Sequence, residues 1–355
     1  MEKLTDIPLA ELTTLRLGGP ARTLLRATTR AELVEAVREA DRSGERTLII
    51  AGGSNLVVAD EGVPRAIQVA TRGVERTELP DGRVAVTAEA GEDWDAFVAA
   101  AAADGLVGVE CLAGIPGTVG ATPIQNVGAY GQEVAETISE VLVLERASGE
   151  VRALAPAECG FGYRSSRFKR TETHVVLAVT FALARDDGRG SAPIRYAELA
   201  RRLGVELGER APLAAVRETV LELRRGKGMV LDPADPDTVS AGSFFTNPIL
   251  EPGEAERLAR VVAERFGPDA SPPAWPQDDG RVKVSAAWLI ERAGFHRGYG
   301  DGRVGLSSKH TLAVVNRGGA TTAELVAFAR EIAAGVYEAF GVELTPEPVF
   351  YGHSW

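Results

Sequence analysis

The feature that most constrains this chain is a glycine-rich segment, GIPGTVGATPIQNVGAYGQE, at residues 114–133. It contains five glycines and no charged side chain before Glu133, so it cannot form a regular helix. Because glycine accepts positive φ and lets another group approach the main chain closely, the segment predicts backbone laid against a ligand. Its Gly-x-x-Gly-x-x-Gly spacing is not the fingerprint that opens a dinucleotide-binding helix, so a buried crossover without a ligand stays open.

A second glycine-rich loop lies earlier in the chain. The strand predicted at residues 47–51 runs directly into Gly-Gly-Ser-Asn at residues 52–55. Consecutive backbone N–H groups and two short polar side chains can form an anion-binding nest there, although a plain turn between strands is the alternative. Arg16, which precedes the glycine pair Gly18 and Gly19, is a further candidate to face a phosphate.

Length and charge limit the possible functions. A chain of 355 residues predicts two or three domains. The net charge of −11 argues against nucleic acid or an anionic membrane as the main partner, so an anionic small substrate needs a local basic pocket. The N-terminus lacks an apolar signal region and no long apolar stretch occurs, so we expect a cytoplasmic protein. Two cysteines and four scattered histidines give no metal-ligand spacing.

Local patterns predict several elements of secondary structure. Thr29 with Glu32 and Thr321 with Glu324 form capping boxes that predict two helices, the second ending at Gly341. A Pro-Asp-Gly turn at residues 80–82 predicts a hairpin. Further along the chain we expect helices at 213–225, 255–266 and 285–293, a proline-rich loop through residue 276, and a strand at 312–316.

Two polar loops carry candidate functional groups. The segment GFGYRSSRFK at residues 160–169 places Tyr163 and Arg164 between two predicted strands, where such pairs are usually surface or cation–π contacts. A basic group with Arg225 and Lys227 ends the helix predicted at 213–225. Because cations at a helix C-terminus are common, that group does not by itself indicate a ligand.

Two residues near the C-terminus are candidates for acid and charge chemistry. Ser243, in AGSFFTNP, follows a glycine and precedes two phenylalanines, which would desolvate a hydroxyl that a turn holds in place. This suits proton delivery, although a simple turn residue is the alternative. Glu347 lies between two prolines, so its carboxylate is held on a stiff extended segment, either in a site or in an exposed linker.

The two glycine loops, the Tyr-Arg loop, AGSFFTNP and the terminal PEP occur in one order, and together they closely resemble the UDP-N-acetylenolpyruvoylglucosamine reductase family over nearly the whole chain. FGYRSSRFK and YAEL further resemble the branch that closes a tyrosine loop over its substrate. The resemblance implies an α+β fold with a two-subdomain FAD-binding module of the vanillyl-alcohol-oxidase-like (PCMH-type) class and a C-terminal α+β substrate domain. It divides the chain into FAD-binding subdomains at 1–70 and 71–225, the second with the tyrosine loop, and a substrate-binding domain at 226–355.

The resemblance also implies the reaction. NADPH reduces noncovalently bound FAD, which in turn reduces UDP-N-acetylglucosamine enolpyruvate to UDP-N-acetylmuramate for peptidoglycan synthesis; we expect a monomer with no macromolecular partner. Ser243 matches the proton donor of the family, and Arg164 and Glu347 match the groups that stabilise or polarise the enolpyruvyl carboxylate region. A hydroxyl is a poor acid in water, so Ser243 needs preorganised charges around the developing enolate.

The same matching assigns binding residues. Val349 stands where some relatives carry an arginine, so that contact is absent or comes from elsewhere. For the UDP diphosphate, Tyr196 and Lys227 are implied, with Arg225 as the alternative to Lys227. The implied substrate-binding residues are Tyr163, Tyr196, Arg225, Lys227, Asn247 and His310, and the implied FAD-binding residues are Arg16, Gly18, Gly52, Gly53, Ser54, Asn55, Leu56, Gly114, Ile115, Pro116, Gly117, Thr118, Gly120, Ala121, Gln125, Asn126, Gly128 and Tyr130.

Two other functions remain open at this stage. One is an oxidase of the same flavin fold that acts on a sugar or hydroxy acid and passes electrons to oxygen. The absence of histidine near the glycine loops argues against the covalent flavin link that is frequent in that class. The other is a non-enzymatic flavin- or nucleotide-binding subunit, for which the occurrence of Ser243, Arg164 and Glu347 together is a coincidence.

Overall fold

The computed structural model describes all 355 residues, from Met1 to Trp355. Helices and strands are both abundant, as the predicted α+β class requires. In chain order the strands are β1 (Glu2–Pro8), β2 (Pro20–Ala27), β3 (Thr47–Ile50), β4 (Leu56–Val58), β5 (Val63–Val69), β6 (Val74–Glu78), β7 (Val84–Glu89), β8 (Leu106–Val107), β9 (Gly128–Ala129), β10 (Gln132–Glu133), β11 (Ile138–Glu145), β12 (Glu150–Leu154), β13 (His174–Arg185), β14 (Ile249–Leu250), β15 (Ala274–Pro276), β16 (Val282–Val284), β17 (Val304–Leu306), β18 (Val314–Asn316) and β19 (Val349–Tyr351).

Both predicted capping boxes form. The Thr29 and Thr321 hydroxyls accept the backbone N–H groups of Glu32 and Glu324, and each glutamate accepts the N–H of its threonine in return. This satisfies N–H groups that the first helical turn leaves without a partner. The helices are α1 (Arg30–Ser43), α2 (Trp94–Ala103), α3 (Ala197–Leu203), α4 (Leu213–Arg225), α5 (Pro252–Phe266), α6 (Ala286–Arg292) and α7 (Thr322–Phe340), and none is long and apolar enough to cross a membrane.

The chain forms two compact units. Unit 1 comprises residues 1–8, 20–53 and 62–231, and unit 2 comprises residues 9–19, 54–61 and 232–355. The predicted division cuts the chain only at residues 70 and 225. It therefore does not separate residues 9–19 and 54–61, which belong to unit 2, from the residues around them. Strand β4 pairs in parallel with β19, and this long-range pairing groups residues 54–61 with the C-terminal part. The three predicted domains remain a prediction about which segments bind which ligand.

Unit 1 contains two main sheets. The first has the order β1, β2, β5, β3, in which β5 runs parallel to both β2 and β3. The second is antiparallel, with the order β12, β11, β13, β7, β6 and the short β8 paired to β13; the predicted hairpin is formed by β6 and β7. Leu33 of α1, Phe181 of β13 and Val220 of α4 belong to one buried core, so both predicted FAD-binding subdomains share a hydrophobic interior.

Unit 2 packs three helices around a separate core. Phe244, Leu289 of α6 and Ile332 of α7 are fully buried in it. Residues 54–61 are tied to α7, because Asp60 Oδ1 accepts the Thr322 N–H at 2.8 Å and the Thr322 hydroxyl donates to the Val58 carbonyl at 2.6 Å. The small sheets of unit 2 are β14–β16–β15, the β17–β18 pair and the β4–β19 pair.

Three regions differ from expectation by more than one residue. The proline-rich loop predicted through residue 276 contains strand β15, which tolerates Pro276 because it pairs only with β16 and is an edge strand. Helix α5 begins at Pro252, before the predicted residue 255, since proline suits the first helical position and Glu251 with Glu254 forms a capping box. Strand β18 begins at Val314, two residues after the predicted start.

Candidate active site

The two predicted glycine loops contact each other through their main chains in unit 1. A β-carbon at Gly52 would lie 2.8 Å from Cα of Gly117, so neither loop has room for a side chain there. The second loop is fixed by hydrogen bonds from Trp94 N to Gly117 O (3.1 Å) and from Gly114 N to Asp95 Oδ1 (2.7 Å). The close approach explains why glycine occupies both positions.

The second glycine loop also carries an unsatisfied polar group. The hydroxyl oxygen of Thr118 is buried and has no hydrogen-bond partner. Buried polar groups in folded proteins are nearly always paired with protein, water or a ligand. Thr118 and the neighbouring glycines Gly117 and Gly120 therefore fit the flavin cofactor that the sequence predicts at this loop.

Helix α4 supports the same loop from one side. A β-carbon at Gly114 would lie 2.7 Å from Leu221 Cδ2 and 3.5 Å from Arg224 Nε. The Arg224 guanidinium is buried, donates from Nη2 to the Met229 carbonyl at 2.8 Å, and leaves Nε without a partner. Burial lowers the pKa of this guanidinium. Arg224 is not among the predicted site residues, because its place in a basic group does not reveal which arginine points inward.

Backbone strain is concentrated at the predicted residues. Only six residues other than glycine have positive φ, and four of them are predicted site residues: Arg16 (51°), Asn126 (45°), Tyr130 (48°) and Arg164 (50°). Such conformations are costly for residues with a β-carbon and are enriched where a side chain must be held for function. The strain marks these four positions independently of any motif.

Arg164 is held close to the end of the long glycine-rich segment. Its guanidinium donates to the carbonyls of Asn126 and Gly128, and Nη1 lies 3.8 Å from Glu133 Oε1. Glu133 Oε2 also accepts from Asn126 Nδ2 at 2.7 Å. A β-carbon at Gly128 would lie 2.9 Å from Arg164 Nη1, so the glycine makes room for the arginine. The Arg164 guanidinium also lies 5.3 Å from the Tyr163 ring centroid, as a loop cation–π pair.

Tyr130, a predicted FAD-binding residue, forms one cluster in unit 1 with two predicted substrate residues, Tyr196 and Lys227. The rings of Tyr130 and Tyr196 meet edge to face at 5.3 Å, and Lys227 Nζ lies 5.6 Å from the Tyr130 ring centroid. Lys227 Nζ also donates to Glu198 Oε2 at 3.0 Å. Burial of the amine lowers the pKa of Lys227, but Tyr130 and Glu198 together outweigh it and leave that pKa raised. The ammonium is therefore charged at neutral pH.

Arg225, the alternative to Lys227, lies in different surroundings. Its Nη1 atom is 2.9 Å from Glu218 Oε1, and both residues lie on one face of α4. Both side chains are more than half exposed. It takes no part in the aromatic cluster around Lys227. The geometry thus favours Lys227 as the cation that meets an anionic ligand.

In unit 2 the main chain brings Ser243 and Glu347 together. Glu347 N donates to Phe244 O at 2.8 Å, Thr246 N donates to Thr345 O at 3.1 Å, and Phe245 bridges to Pro346. Two predicted catalytic residues from distant parts of the sequence therefore lie on neighbouring, hydrogen-bonded segments of the main chain. Gly242 precedes Ser243 with φ of 70°, which a turn at this point requires.

Other predicted residues of unit 2 surround this segment or support it. Thr14, two residues before Arg16, donates to the Ser240 carbonyl at 2.6 Å. Asn55 Nδ2 donates to the Glu347 carbonyl at 3.3 Å, and Gly18 packs against Val58. Ser54 and Leu56 flank Asn55, Leu56 opening strand β4. Of the FAD-binding motif predicted at residues 52–56, residues 52 and 53 belong to unit 1 and residues 54–56 to unit 2.

Three further positions have structural roles in unit 2. Asn247 Oδ1 accepts the Ala286 N–H at 3.0 Å and so ties its own segment to the start of α6. His310 lies in a turn in which its N–H donates to Ser307 Oγ at 3.3 Å. Val349, where some relatives carry arginine, pairs with Leu56 in the β19–β4 ladder. No cluster of His, Cys, Asp or Glu could hold a metal ion, and both cysteines are buried and unpaired.

Two sequence families match this chain. Residues 21–155 match the family described as FAD binding domain, and residues 233–351 match the family described as UDP-N-acetylenolpyruvoylglucosamine reductase, C-terminal domain. The predicted α+β fold, with an N-terminal FAD-binding part and a separate C-terminal domain, is therefore confirmed. The FAD match also confirms the predicted cofactor and, with the relatives below, an FAD-dependent oxidoreductase.

Similar proteins agree with these matches over the full length. A UDP-N-acetylenolpyruvoylglucosamine reductase from Thermobifida fusca is 58% identical over 98% of this chain and 97% of its own, and one from Streptomyces coelicolor is 59% identical over 99% and 91%. The crystal structure of the reductase from Thermus caldophilus superposes with a TM-score of 0.63 at 25% identity, covering 99% of this chain and 98% of that one. The chain belongs to the UDP-N-acetylenolpyruvoylglucosamine reductase family.

Proposed function

We propose that this protein uses FAD and NADPH to reduce UDP-N-acetylglucosamine enolpyruvate to UDP-N-acetylmuramate in peptidoglycan synthesis. The observation that carries the proposal is the main-chain pairing that puts Ser243 beside Glu347, within a family of reductases. When bound, FAD supplies the hydride chemistry. The residues of this chain supply binding, charge and a proton.

Ser243 is proposed as the acid that gives its hydroxyl proton to the substrate carbon that gains carbanion character. Its side chain is half-buried and lies between a left-handed glycine and a fully buried phenylalanine. Glu347 on the adjacent segment is proposed to polarise the enolpyruvyl region. A positioned general acid contributes about 10²-fold to 10⁴-fold to a rate.

The cations of unit 1 are proposed to bind the two anionic parts of the substrate. Arg164 suits the enolpyruvyl carboxylate, because a guanidinium presents two parallel donors to a carboxylate. Lys227, with Tyr130 and Tyr196, suits the diphosphate, because an ammonium with several donors binds phosphate oxygens as a point charge. Thr118 and the two glycine loops are proposed to hold FAD without a covalent bond.

We propose a cytoplasmic monomer that acts on small molecules only. The net charge of −11 supports the absence of a nucleic-acid partner, and two unpaired buried cysteines suit a reducing compartment. Size-exclusion chromatography with light scattering tests the oligomeric state, with a mass near 37.5 kDa expected.

The function is tested on the purified protein. We expect a yellow protein whose NADPH oxidation is stimulated by UDP-N-acetylglucosamine enolpyruvate and not by UDP-N-acetylglucosamine, which lacks the double bond. Mass spectrometry should show a product with two more hydrogens than the substrate. Oxygen consumption with a sugar or hydroxy acid, and no response to the enolpyruvyl compound, would favour the oxidase instead. A protein that takes up FAD and shows neither reaction would favour the non-enzymatic alternative.

A further inference from the structure

Glu198 forms an ion pair with Lys227, the cation that the proposed function assigns to the substrate diphosphate. Lys227 Nζ donates to Glu198 Oε2 at 3.0 Å, and about 30% of each side chain is exposed. The same ammonium lies 5.6 Å from the Tyr130 ring centroid. The ammonium is therefore held between a carboxylate on one side and an aromatic ring on another.

The position of Glu198 links this ion pair to the aromatic contact. Tyr196 is the N-cap residue of α3 and Glu198 lies in the first turn of that helix, two residues later. The Tyr196 ring meets the Tyr130 ring at 5.3 Å, and the same Tyr130 ring faces Lys227. One short helical turn therefore carries both the carboxylate that pairs with Lys227 and a tyrosine that flanks it.

A diphosphate and Glu198 cannot both stay at the ammonium without repulsion. Like charges within hydrogen-bonding distance of one cation repel strongly where the groups are partly desolvated. Phosphate oxygens form charge-assisted bonds with the ammonium, as a carboxylate does, and a diphosphate carries more negative charge than one carboxylate. The incoming group therefore competes with Glu198 for Lys227.

We propose that Glu198 is a placeholder anion: it neutralises Lys227 in the substrate-free protein, and the nucleoside diphosphate displaces it. This inference rests on the proposed function. Its consequence is selectivity, because every ligand must overcome the same ion pair. A ligand with two phosphate groups does so, whereas a singly charged carboxylate or a neutral nucleoside gains little from Lys227.

A second ion pair, between two residues of α4, provides a matched control. Arg225 Nη1 and Glu218 Oε1 are 2.9 Å apart, but both side chains are more than half exposed and neither belongs to the aromatic cluster. Glu218→Gln removes one carboxylate charge from α4, beside Arg225, and leaves Lys227 and Glu198 unchanged. Glu198→Gln and Glu218→Gln thus each remove one negative charge, the first beside Lys227 and the second beside Arg225.

Calorimetry with UDP and with uridine tests the proposal on the FAD-loaded protein. Glu198→Gln should bind UDP about 2-fold to 5-fold more tightly than wild type, the range expected for removing a partly exposed ion pair that competes with the ligand. Uridine affinity should not change, and Glu218→Gln should match wild type for both ligands. Glu198→Asp, which keeps a carboxylate, should remain closer to wild type than Glu198→Gln. Retained flavin absorbance shows that each variant is folded.

The sign of the change decides the outcome. If Glu198→Gln binds UDP equally or more weakly, Glu198 orients Lys227 and is not displaced, and the inference is wrong. A gain in Glu218→Gln instead would assign the diphosphate to Arg225 and overturn the inference as well. Absence of UDP binding to the wild-type protein would contradict the proposed diphosphate site itself, whatever the variants do.

Discussion

The proposed cations of unit 1 and the proposed acid of unit 2 are held by different kinds of interaction. In unit 1, Arg164 and Lys227 each lie beside a carboxylate, Glu133 and Glu198, and Arg164 also has a strained backbone. In unit 2, Ser243 is placed by main-chain hydrogen bonds between its segment and residues 345–347. A charged group needs a counter-ion that a ligand can replace, whereas a neutral hydroxyl needs no counter-ion of its own in the absence of a ligand.

This difference separates binding from chemistry. Removing a side chain in unit 2 that contributes only a proton should slow one step without loosening the substrate. Changing a cation or its counter-ion in unit 1 should alter affinity first. The variants below test whether the two sets of residues behave in these two ways, from the largest expected effect to the smallest.

The largest effect is expected for Ser243→Ala. Reaction of NADPH with the flavin needs no acid from this side chain, so NADPH should bleach the flavin at near wild-type rate. Recovery of flavin colour on adding the enolpyruvyl substrate should slow about 10²-fold to 10⁴-fold, since a positioned proton donor is lost. Stopped-flow absorbance follows the two phases separately.

Thr246→Ala is the matched control, because it removes another hydroxyl from the same segment, one that donates only to the Thr345 carbonyl. Both phases should stay near wild type in this control. If Ser243→Ala recovers flavin colour as fast as wild type, Ser243 is a turn residue and not the acid. Equal slowing of both phases would contradict the proposed separation of binding from chemistry.

Lys227→Ala should have the next largest effect, on affinity and not on turnover. Hydrogen bonds to charged groups contribute about 1.5–3 kcal/mol, so KM for the UDP substrate should rise roughly 10-fold to 100-fold with little change in kcat. Arg225→Ala should change KM less than about 2-fold, because exposed ion pairs contribute little. Steady-state kinetics on both variants settles the choice between the two cations; the reverse order would assign the diphosphate to Arg225.

Glu133→Gln should have a smaller effect through Arg164. The change keeps an acceptor for Asn126 but removes the charge 3.8 Å from the guanidinium, so Arg164 loses part of its orientation. We expect kcat/KM to fall about tenfold, equivalent to about 1.4 kcal/mol, with the flavin still bound. Glu136→Gln, which removes the partner of the exposed Arg195, is the control. Unchanged kcat/KM in Glu133→Gln would show that the Glu133 charge is not needed to orient Arg164.

Local signals explain which features the sequence predicted. The capping boxes of α1 and α7 depend on residues three apart, so they could be read directly from the chain. The glycine loops were predictable because close backbone contact excludes other residues, as the Gly52 and Gly117 contact shows. Tyr130, Tyr196 and Lys227 were assigned from motif order, and their side chains lie together; ligand binding by them stays a prediction.

Long-range pairing explains what the sequence did not predict. Glu133 and Glu198 are two among 50 acidic residues, and no local pattern marks a carboxylate that pairs with a distant cation. The β4–β19 pairing, which places residues 54–61 in unit 2, is invisible for the same reason. The choice between Arg224 and Arg225 depends on which face of α4 is buried, and that follows only from tertiary packing.

The smallest effect is expected for Thr118→Val, which should not destabilise the apoprotein but should weaken FAD binding. The variant keeps the side-chain shape but removes a buried hydroxyl that has no partner within the protein. Without FAD, the variant should be equally or more stable than wild type, because an unsatisfied buried polar group is costly. If the hydroxyl bonds to FAD, the variant should bind the cofactor about 3-fold to 10-fold more weakly, since a net hydrogen bond contributes about 0.5–1.5 kcal/mol.

Thermal unfolding of the apoprotein and titration of FAD measure the two quantities independently, with Thr246→Val as a control whose FAD affinity should not change. A Thr118→Val protein that is less stable without FAD and binds FAD as tightly as wild type would show that the hydroxyl serves the fold of unit 1 and not the cofactor.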